Sequence, residues 1–316
     1  MKLIIQIPCH NEAQTLPETL AALPRELRGV DLIEVLVVDD GSTDGTMEVA
    51  RKLGVDHVVR LSSRGGLAQA FSTGLNESLR LGADLIVNTD GDNQYYGPDI
   101  EKLLDPILKG RAQMVVGARS IQDIEHFSRS KKLLQRLGSW AVRRISGTEV
   151  PDATSGFRAF SREAALRINV FSSYTYTLET IIQAGRCNIS IESVPIRTNR
   201  PLRESRLIKS IPSYLRVSAW TMLRIFLLYK PLRLFGLLGG VLFAAGFLIG
   251  LRFVFFYFLG EGEGKIQSLI LAAVLLIMGF QLGILGLVAD LISTNRRILE
   301  EIQYRQRKQE LDPLKS

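Results

Sequence analysis

Asp90-Gly91-Asp92 sets two carboxylates one residue apart, and Gln94 follows at the same spacing. Hard oxygen ligands with no histidine or cysteine beside them favour Mg²⁺ or Mn²⁺ over Zn²⁺. An ion held by so few protein oxygens completes its shell with water and phosphate, so a phosphorylated substrate is expected. Gly91 lets the backbone approach whatever the ion holds. A second acidic run, Asp39-Asp40-Gly41-Ser42, offers carboxylates to a base or ribose and turn amides to phosphate. Arg119 is a candidate partner for a diphosphate, or only a cap on a sheet. Glu179 is either a general base or an ion-pair partner. Simpler explanations compete, because Asp-Gly-Asp-Asn is also good turn chemistry. Asp90, Asp92, Gln94 and Glu101 fall at the first, third, fifth and twelfth places of a calcium loop as well. Tyr95, however, stands where that loop's sharp turn needs glycine, and a strand rather than a helix precedes it.

The elements that must position these groups alternate between strand and helix. Residues 3–7 read as a strand closed by Pro8, and Cys9-His10-Asn11-Glu12 turns into a helix reaching Leu23. Strand 32–38 ends in Asp39, a helix runs to Leu53, and 56–59 is a short strand. Arg64-Gly65-Gly66 opens a helix over 67–79, and strand 84–88 carries the acidic pair at its end. Helix 98–108 and strand 114–117 lead to Arg119. Beyond a loop at 120–132, helix 133–145 precedes a strand, a helix from Ser161, helix 175–184 with Glu179, and strand 189–194. This order predicts an α/β fold with a mostly parallel sheet and helices on both faces. Chemistry then belongs at the carboxyl ends of the strands, where Asn11, Asp39, Asp90 and Arg119 all fall.

Composition narrows the class. The chain has 316 residues and a net charge of +7, with much of the positive excess after residue 195. No nucleic-acid module or aromatic–basic interleaving appears, so a membrane surface or a phosphorylated ligand accounts for the charge better than DNA or RNA. The cysteines, Cys9 and Cys187, have no metal-site spacing and read as free thiols. The N-terminal apolar run is too short for a signal peptide and reads as the first strand. Residues 210–230 look like an amphipathic helix lying in a headgroup layer. Segments 232–259 and 266–292 each exceed the ~20 residues that span a ~30 Å hydrocarbon core. Basic residues on both outer flanks and an acidic hairpin between them predict cytoplasmic chain ends. Arg252 and Asp290 are expected to snorkel to interfaces, and the charged helix 295–310 to present a solvated face on the cytoplasmic side. The expected division is 1–209, 210–230, 231–293 and 294–316.

Pro8-Cys9-His10-Asn11-Glu12, the DDGSTDGT run, TDGDNQY and Ser155-Gly156-Phe157-Arg158 together resemble glycosyltransferase family 2, with its GT-A fold. The strip VPIRTNR…RESR and the pair of apolar helices are similar to the polyprenyl-phosphate branch, relatives of dolichyl-phosphate mannose and glucose synthases. The resemblance implies a nucleotide site at Pro8, Asn11, Glu12, Asp39, Asp40, Gly66, Asp90 and Gly91, and a Mg²⁺ or Mn²⁺ site at Asp90, Asp92 and Gln94. Asp92, Arg119 and Glu179 would serve catalysis, with Arg129, Ser155, Arg200, Arg203 and Ser205 toward the acceptor phosphate and membrane face. Implied partners are a nucleoside-diphosphate sugar (UDP-linked favoured, GDP-mannose the other choice), a polyprenyl phosphate and the bilayer. A homotetramer is permitted, as in some relatives. His10 replaces the aromatic residue often found before Asn-Glu in that family. The acceptor, a phosphate monoester with a second pKa of ~6, is mostly dianionic near neutrality, so a strong general base is unnecessary and Glu179 leans toward positioning. A processive polysaccharide synthase fits less well, for want of a Gln-x-x-Arg-Trp signature and of enough membrane helices. A catalytically dead scaffold or nucleotide sensor would not need intact carboxylates.

Overall fold

Apolar runs rich in branched side chains form a seven-stranded sheet. Its strands are β1 (Lys2–Cys9), β2 (Leu32–Asp39), β3 (His57–Arg60), β4 (Leu85–Asn88), β5 (Met114–Arg119), β6 (Arg158–Ser161) and β7 (Ile191–Ile196). The computed structural model describes residues 1–119, 143, 147–170, 176–200, 231–260 and 266–311. Strand order is β3-β2-β1-β4-β6-β5-β7. Only β6 runs antiparallel to its neighbours, β4 and β5. The helices of this unit are α1 (Leu16–Ala21), α2 (Thr46–Lys52), α3 (Leu67–Arg80), α4 (Ile100–Leu108), α5 (Arg162–Arg167) and α6 (Thr177–Arg186). Alternation along β1 divides the core between two faces. Leu3 and Ile5 pack with Ile100, Leu103 and Leu104 of α4, while Ile7 packs with Leu16 and Ala50 of α1 and α2. Gln6 and Val38 point to the other face and meet α3 at Gly74.

Several expected boundaries move for local reasons. β1 does not stop at Pro8 but runs to Cys9, because its neighbour β4 has already ended at the pair Gln6↔Asn88. On that side the missing N–H of Pro8 costs no ladder bond. The first helix is shorter than expected, covering only Leu16–Ala21, since Thr15 and Leu16 still bond back to the Glu12 carbonyl in a turn. Asp56 and Asp84 lie outside their strands, and their carboxylates accept from the amides of Val35 and Lys2 at 2.8 Å each. The helix expected from Pro98 opens as a 3₁₀ turn, Gly97–Asp99. β5 and β7 reach Arg119 and Ile196, where they pair with each other.

The chain forms two compact units, Met1–Ser218 with Ile302–Ser316, and Ala219–Glu301. The second is built on α7 (Pro231–Phe258) and α8 (Ile266–Leu311), two helices long and apolar enough to cross a membrane. They meet where glycines remove side chains: a Cβ on Gly239 would lie 2.7 Å from the Gly279 carbonyl oxygen. Such small-residue contacts let apolar helices associate without a drive to leave water. α8 runs unbroken through residue 293, and its last residues belong to the first unit. There the charged helix keeps the solvated face expected of it, with one residue taken inward. Tyr304 is buried, its hydroxyl donates to Glu163 at 2.6 Å, and Arg167 lies over its ring at 4.0 Å. The amphipathic helix expected at 210–230 lies outside the described residues.

Candidate active site

Three strand ends and the turns after them enclose a cavity of about 220 Å³, lined by Pro8, Cys9, His10, Glu12, Asp40, Arg64, Gly66, Leu67, Ala70, Asp90, Gly91 and Asp92. The turn after β1 is held by the turn after β2. Ser42 Oγ accepts from the Asn11 amide at 2.9 Å, and Asn11 Oδ1 accepts from the Thr43 amide at 2.8 Å. Asn11 has φ 57°, a left-handed backbone that asparagine tolerates. Asp40 is directed inward, its carboxylate accepting from the amides of Gly65 (2.6 Å) and Gly66 (2.9 Å) at the start of α3. Asp39 is fully buried; Oδ1 accepts from the Ser42 amide, while Oδ2 has no hydrogen bond. Arg60 lies 3.5 Å from that oxygen, an ion-pair distance without hydrogen-bond geometry. Asp39 therefore keeps one buried oxygen without a hydrogen bond, facing the Arg60 guanidinium.

The acidic loop after β4 is fastened from two sides. The Gly91 carbonyl accepts from Thr15 Oγ1 at 2.8 Å and Thr19 Oγ1 at 3.2 Å. Asn199 Nδ2 donates to the carbonyls of Asn93 (2.9 Å) and Tyr95 (3.2 Å), and the Asn199 amide donates to the Gln94 carbonyl. The close approach expected of Gly91 is to the protein itself: a Cβ there would lie 2.9 Å from Cys9 Sγ. Burial, then the charge of Asp92, pushes Asp90 up to about 7, against the opposing pull of Arg119. Among the described residues no three His, Cys, Asp or Glu side chains cluster to hold a metal. Asp90 and Asp92, both on the cavity wall, offer the hard oxygens that a cation bringing further oxygen ligands would need, and its charge would relieve the repulsion within the pair; Gln94 does not line that wall.

Arg119 ends β5 in a bidentate pair with Asp152 (Nε–Oδ2 2.7 Å, Nη2–Oδ1 3.2 Å), and Nη2 also donates to Thr154 Oγ1. Burial alone would raise Asp152, but Arg119 more than offsets it and holds the carboxyl below its ordinary value. Ser155 is buried, its carbonyl taken by Arg158 Nε at 2.8 Å. Glu179 is buried in α6 and does not line the cavity, whereas Arg200 is exposed. Arg129, Arg203 and Ser205 lie outside the described residues. The structure thus gathers Pro8, Glu12, Asp40, Gly66, Asp90, Gly91 and Asp92 around one cavity, with Asn11 and Asp39 framing its turns. Sequence reading missed Asp152, Asn199, Tyr95, Asn88 and Tyr176 as members of the same network. No local spacing could have linked Arg119 to a carboxylate 33 positions away.

Comparison with known proteins agrees with this architecture. The family model described as "Glycosyl transferase family 2" matches residues 4–168. Polyprenol monophosphomannose synthase of Mycolicibacterium smegmatis is 28% identical over 216 residues, covering 65% of this chain and 80% of that protein. Glycosyltransferase AglJ of Haloferax volcanii is 29% identical over 315 residues, covering 95% of this chain and 96% of its own, so the likeness includes the helical unit. Among solved structures, glucosyl-3-phosphoglycerate synthase from Mycobacterium tuberculosis, in complex with Mn²⁺, UDP and glucosyl-3-phosphoglycerate, superposes with a TM-score of 0.56 at 20% identity. It covers 72% of this chain and 78% of that one, a likeness of fold.

Proposed function

The chain belongs to glycosyl transferase family 2 and is a glycosyltransferase, and from that premise we propose that it moves a sugar from a nucleoside diphosphate to the phosphate of a membrane polyprenol. The product is a lipid-linked monosaccharide. One observation carries the reading. The acidic pair and the Pro8–Glu12 turn open into a single cavity, in a chain that also carries two membrane-length helices. The names of relatives such as the polyprenol monophosphomannose synthase support a polyprenyl-phosphate acceptor. The Mn²⁺ and UDP bound by the fold neighbour support a divalent cation and a uridine nucleotide.

In this reading Asp39 Oδ2, which carries no hydrogen bond, serves the donor's base or ribose, and the Pro8–Glu12 turn, held in shape by Ser42 and Thr46, walls the nucleotide. Asp90, Asp92 and Gln94 hold Mg²⁺ or Mn²⁺, which when bound supplies Lewis-acid stabilisation of charge on the departing diphosphate. Arg119, fixed by Asp152, keeps a cation near Asp90 whatever the occupancy of the site. The dianionic acceptor phosphate is its own nucleophile, so Glu179 positions rather than removes a proton. A single displacement inverts the anomeric carbon. Arg129, Arg200, Arg203 and Ser205 are assigned to bringing that dianion up to a second anion, a task suited to guanidinium forks. The chain is read as an integral membrane protein with both ends and the catalytic unit in the cytoplasm.

The experiment is a panel of nucleotide sugars with Mg²⁺ or Mn²⁺ and polyprenyl phosphate, read by mass of the extracted lipid. One donor should yield a lipid heavier by a single sugar, and chelation should stop the reaction. Full rate after exhaustive chelation, or no glycolipid from any donor, overturns the proposal.

A further inference from the structure

Behind the acidic pair stands the backbone of one residue, Gly156, held at both of its peptide groups. The Gly156 amide donates to Tyr95 Oη at 2.9 Å, and its carbonyl accepts from Asn88 Nδ2 at 2.8 Å and from the Tyr176 hydroxyl at 3.3 Å. Each of these clamping side chains is itself fixed. Tyr95 stacks on Phe157 with centroids 5.0 Å apart, Tyr176 stacks on Phe71 at 3.8 Å, and Asn88 Oδ1 accepts from Gln6 Nε2 at 2.9 Å. Tyr95, Asn88 and Tyr176 are all buried. A Cβ added at position 156 would lie 3.0 and 3.1 Å from the two Asp90 carboxylate oxygens, and 2.8 Å from Tyr176 Oη. Gly156 is not among the positive-φ residues, so glycine stands there for space and not for backbone conformation. Any side chain at 156 would therefore press on both oxygens of one member of the acidic pair.

We infer that the Gly156 backbone, clamped by Tyr95, Asn88 and Tyr176, together with the Tyr95 hydroxyl that bonds the same carboxylate, positions Asp90 and sets how tightly the acidic pair takes a divalent cation. The inference rests on the cation reading given above. A carboxylate left free to turn loses rotational freedom when it coordinates, whereas one backed by a rigid wall has already lost it. Groups that orient a ligand in this way typically change metal affinity by about 10–100-fold when removed. Tyr95, Asn88 and Tyr176 act through Asp90 and are positioning residues.

The test titrates Mn²⁺ into the full chain in detergent, alone and with UDP, and follows free Mn²⁺ by its paramagnetic resonance signal. Gly156→Ala, which crowds the carboxylate, should weaken binding by about 10–100-fold. Tyr95→Phe keeps the stacked ring but removes the hydroxyl that both receives the Gly156 amide and bonds the Asp90 carboxylate, and should weaken it by about 10-fold. In transfer assays Tyr95→Phe should raise the KM for Mn²⁺ with kcat recovered at saturation. The double variant Gly156→Ala/Tyr176→Phe removes the conflict with the hydroxyl but not that with Asp90, so its loss should persist. Thermal midpoints report folding, and if Gly156→Ala does not fold, Tyr95→Phe decides. Wild-type affinity in Tyr95→Phe, or recovery of affinity in the double variant, overturns the inference while leaving the cation reading intact. A wild-type chain that takes up no Mn²⁺ in either condition overturns the cation reading and this inference with it.

Discussion

Apolar and charged side chains trade places between the two units. In the sheet unit Leu3, Ile5, Val87 and Phe157 are fully buried, while along α7 and α8 Leu237, Leu248, Phe255, Phe258 and Ile292 form the surface. Conversely the sheet unit buries Asp39, Asn88, Asp99 and Arg158, whereas α7 carries only Arg233 and Arg252 as charged residues, both exposed. The contrast teaches that each unit is built for a different solvent. Water drives leucine inward in one; the other keeps leucine outward on two helices long and apolar enough to cross a membrane, where a hydrocarbon surround would carry no such penalty. Glycine serves both, admitting a carboxylate at Gly156 and a neighbouring helix at Gly239.

The largest effect that would break the contrast is at the acidic pair. Asp92→Asn should cut sugar transfer by roughly two to three orders of magnitude, as removal of a group acting on transition-state charge does, with the thermal midpoint unchanged. Near-normal activity would make the half-buried acids structural. One substitution made in each unit sharpens the contrast next. Arg158 is fully buried and bonds to Ser155 O, Thr177 O, Ala153 O and Thr180 Oγ1. Arg158→Met strands those acceptors and should destabilise by about 2–4 kcal/mol. Arg252→Met, on an exposed position of α7, should stay within about 0.5 kcal/mol in detergent. Equal losses in thermal unfolding would dissolve the distinction.

A smaller effect tests a buried charge by pH. Burial alone would raise Asp99, but the hydrogen bonds from Arg197 and Lys102 more than offset it and lower its pKa. A depressed carboxyl stabilises above its unfolded pKa of about 3.9 and loses that contribution as pH falls through the folded value. Asp99→Asn should therefore cost about 2 kcal/mol near neutrality, and the gap from wild type should close below pH ~4. A gap independent of pH would sink the claim. Smallest is the tail. Tyr304→Phe removes the bond to Glu163 and should cost about 1 kcal/mol by thermal denaturation. No change would return residues 302–311 to the solvated helix that their charge suggests.

The acidic pair, the Asp39 run and the alternating strands were legible because each is a local pattern. A strand is announced by its own residues, and a turn by the residues within it. The helical pair was legible for the same reason, since length and hydropathy need no partner. Less legible was Pro8, whose place inside β1 depends on where a neighbouring strand stops. Glu179 showed the limit from the other side: its type left a base and an ion-pair partner both open, and only the fold gave its place, buried in α6 outside the cavity lining.

What the sequence alone determined is the order of elements, which two helices are long and apolar enough to cross a membrane, and which strand ends carry acids. Tertiary structure alone decided what holds those acids in place. The Arg119–Asp152 pair joins residues 33 apart, the Tyr95–Gly156 bond joins residues 61 apart, and Asn199 reaches back 106 positions to Asn93. Such bonds depend on which strands become neighbours, and in this sheet β6 is inserted between β4 and β5 against the parallel trend. Chain order does not specify that insertion; the packing of both faces does.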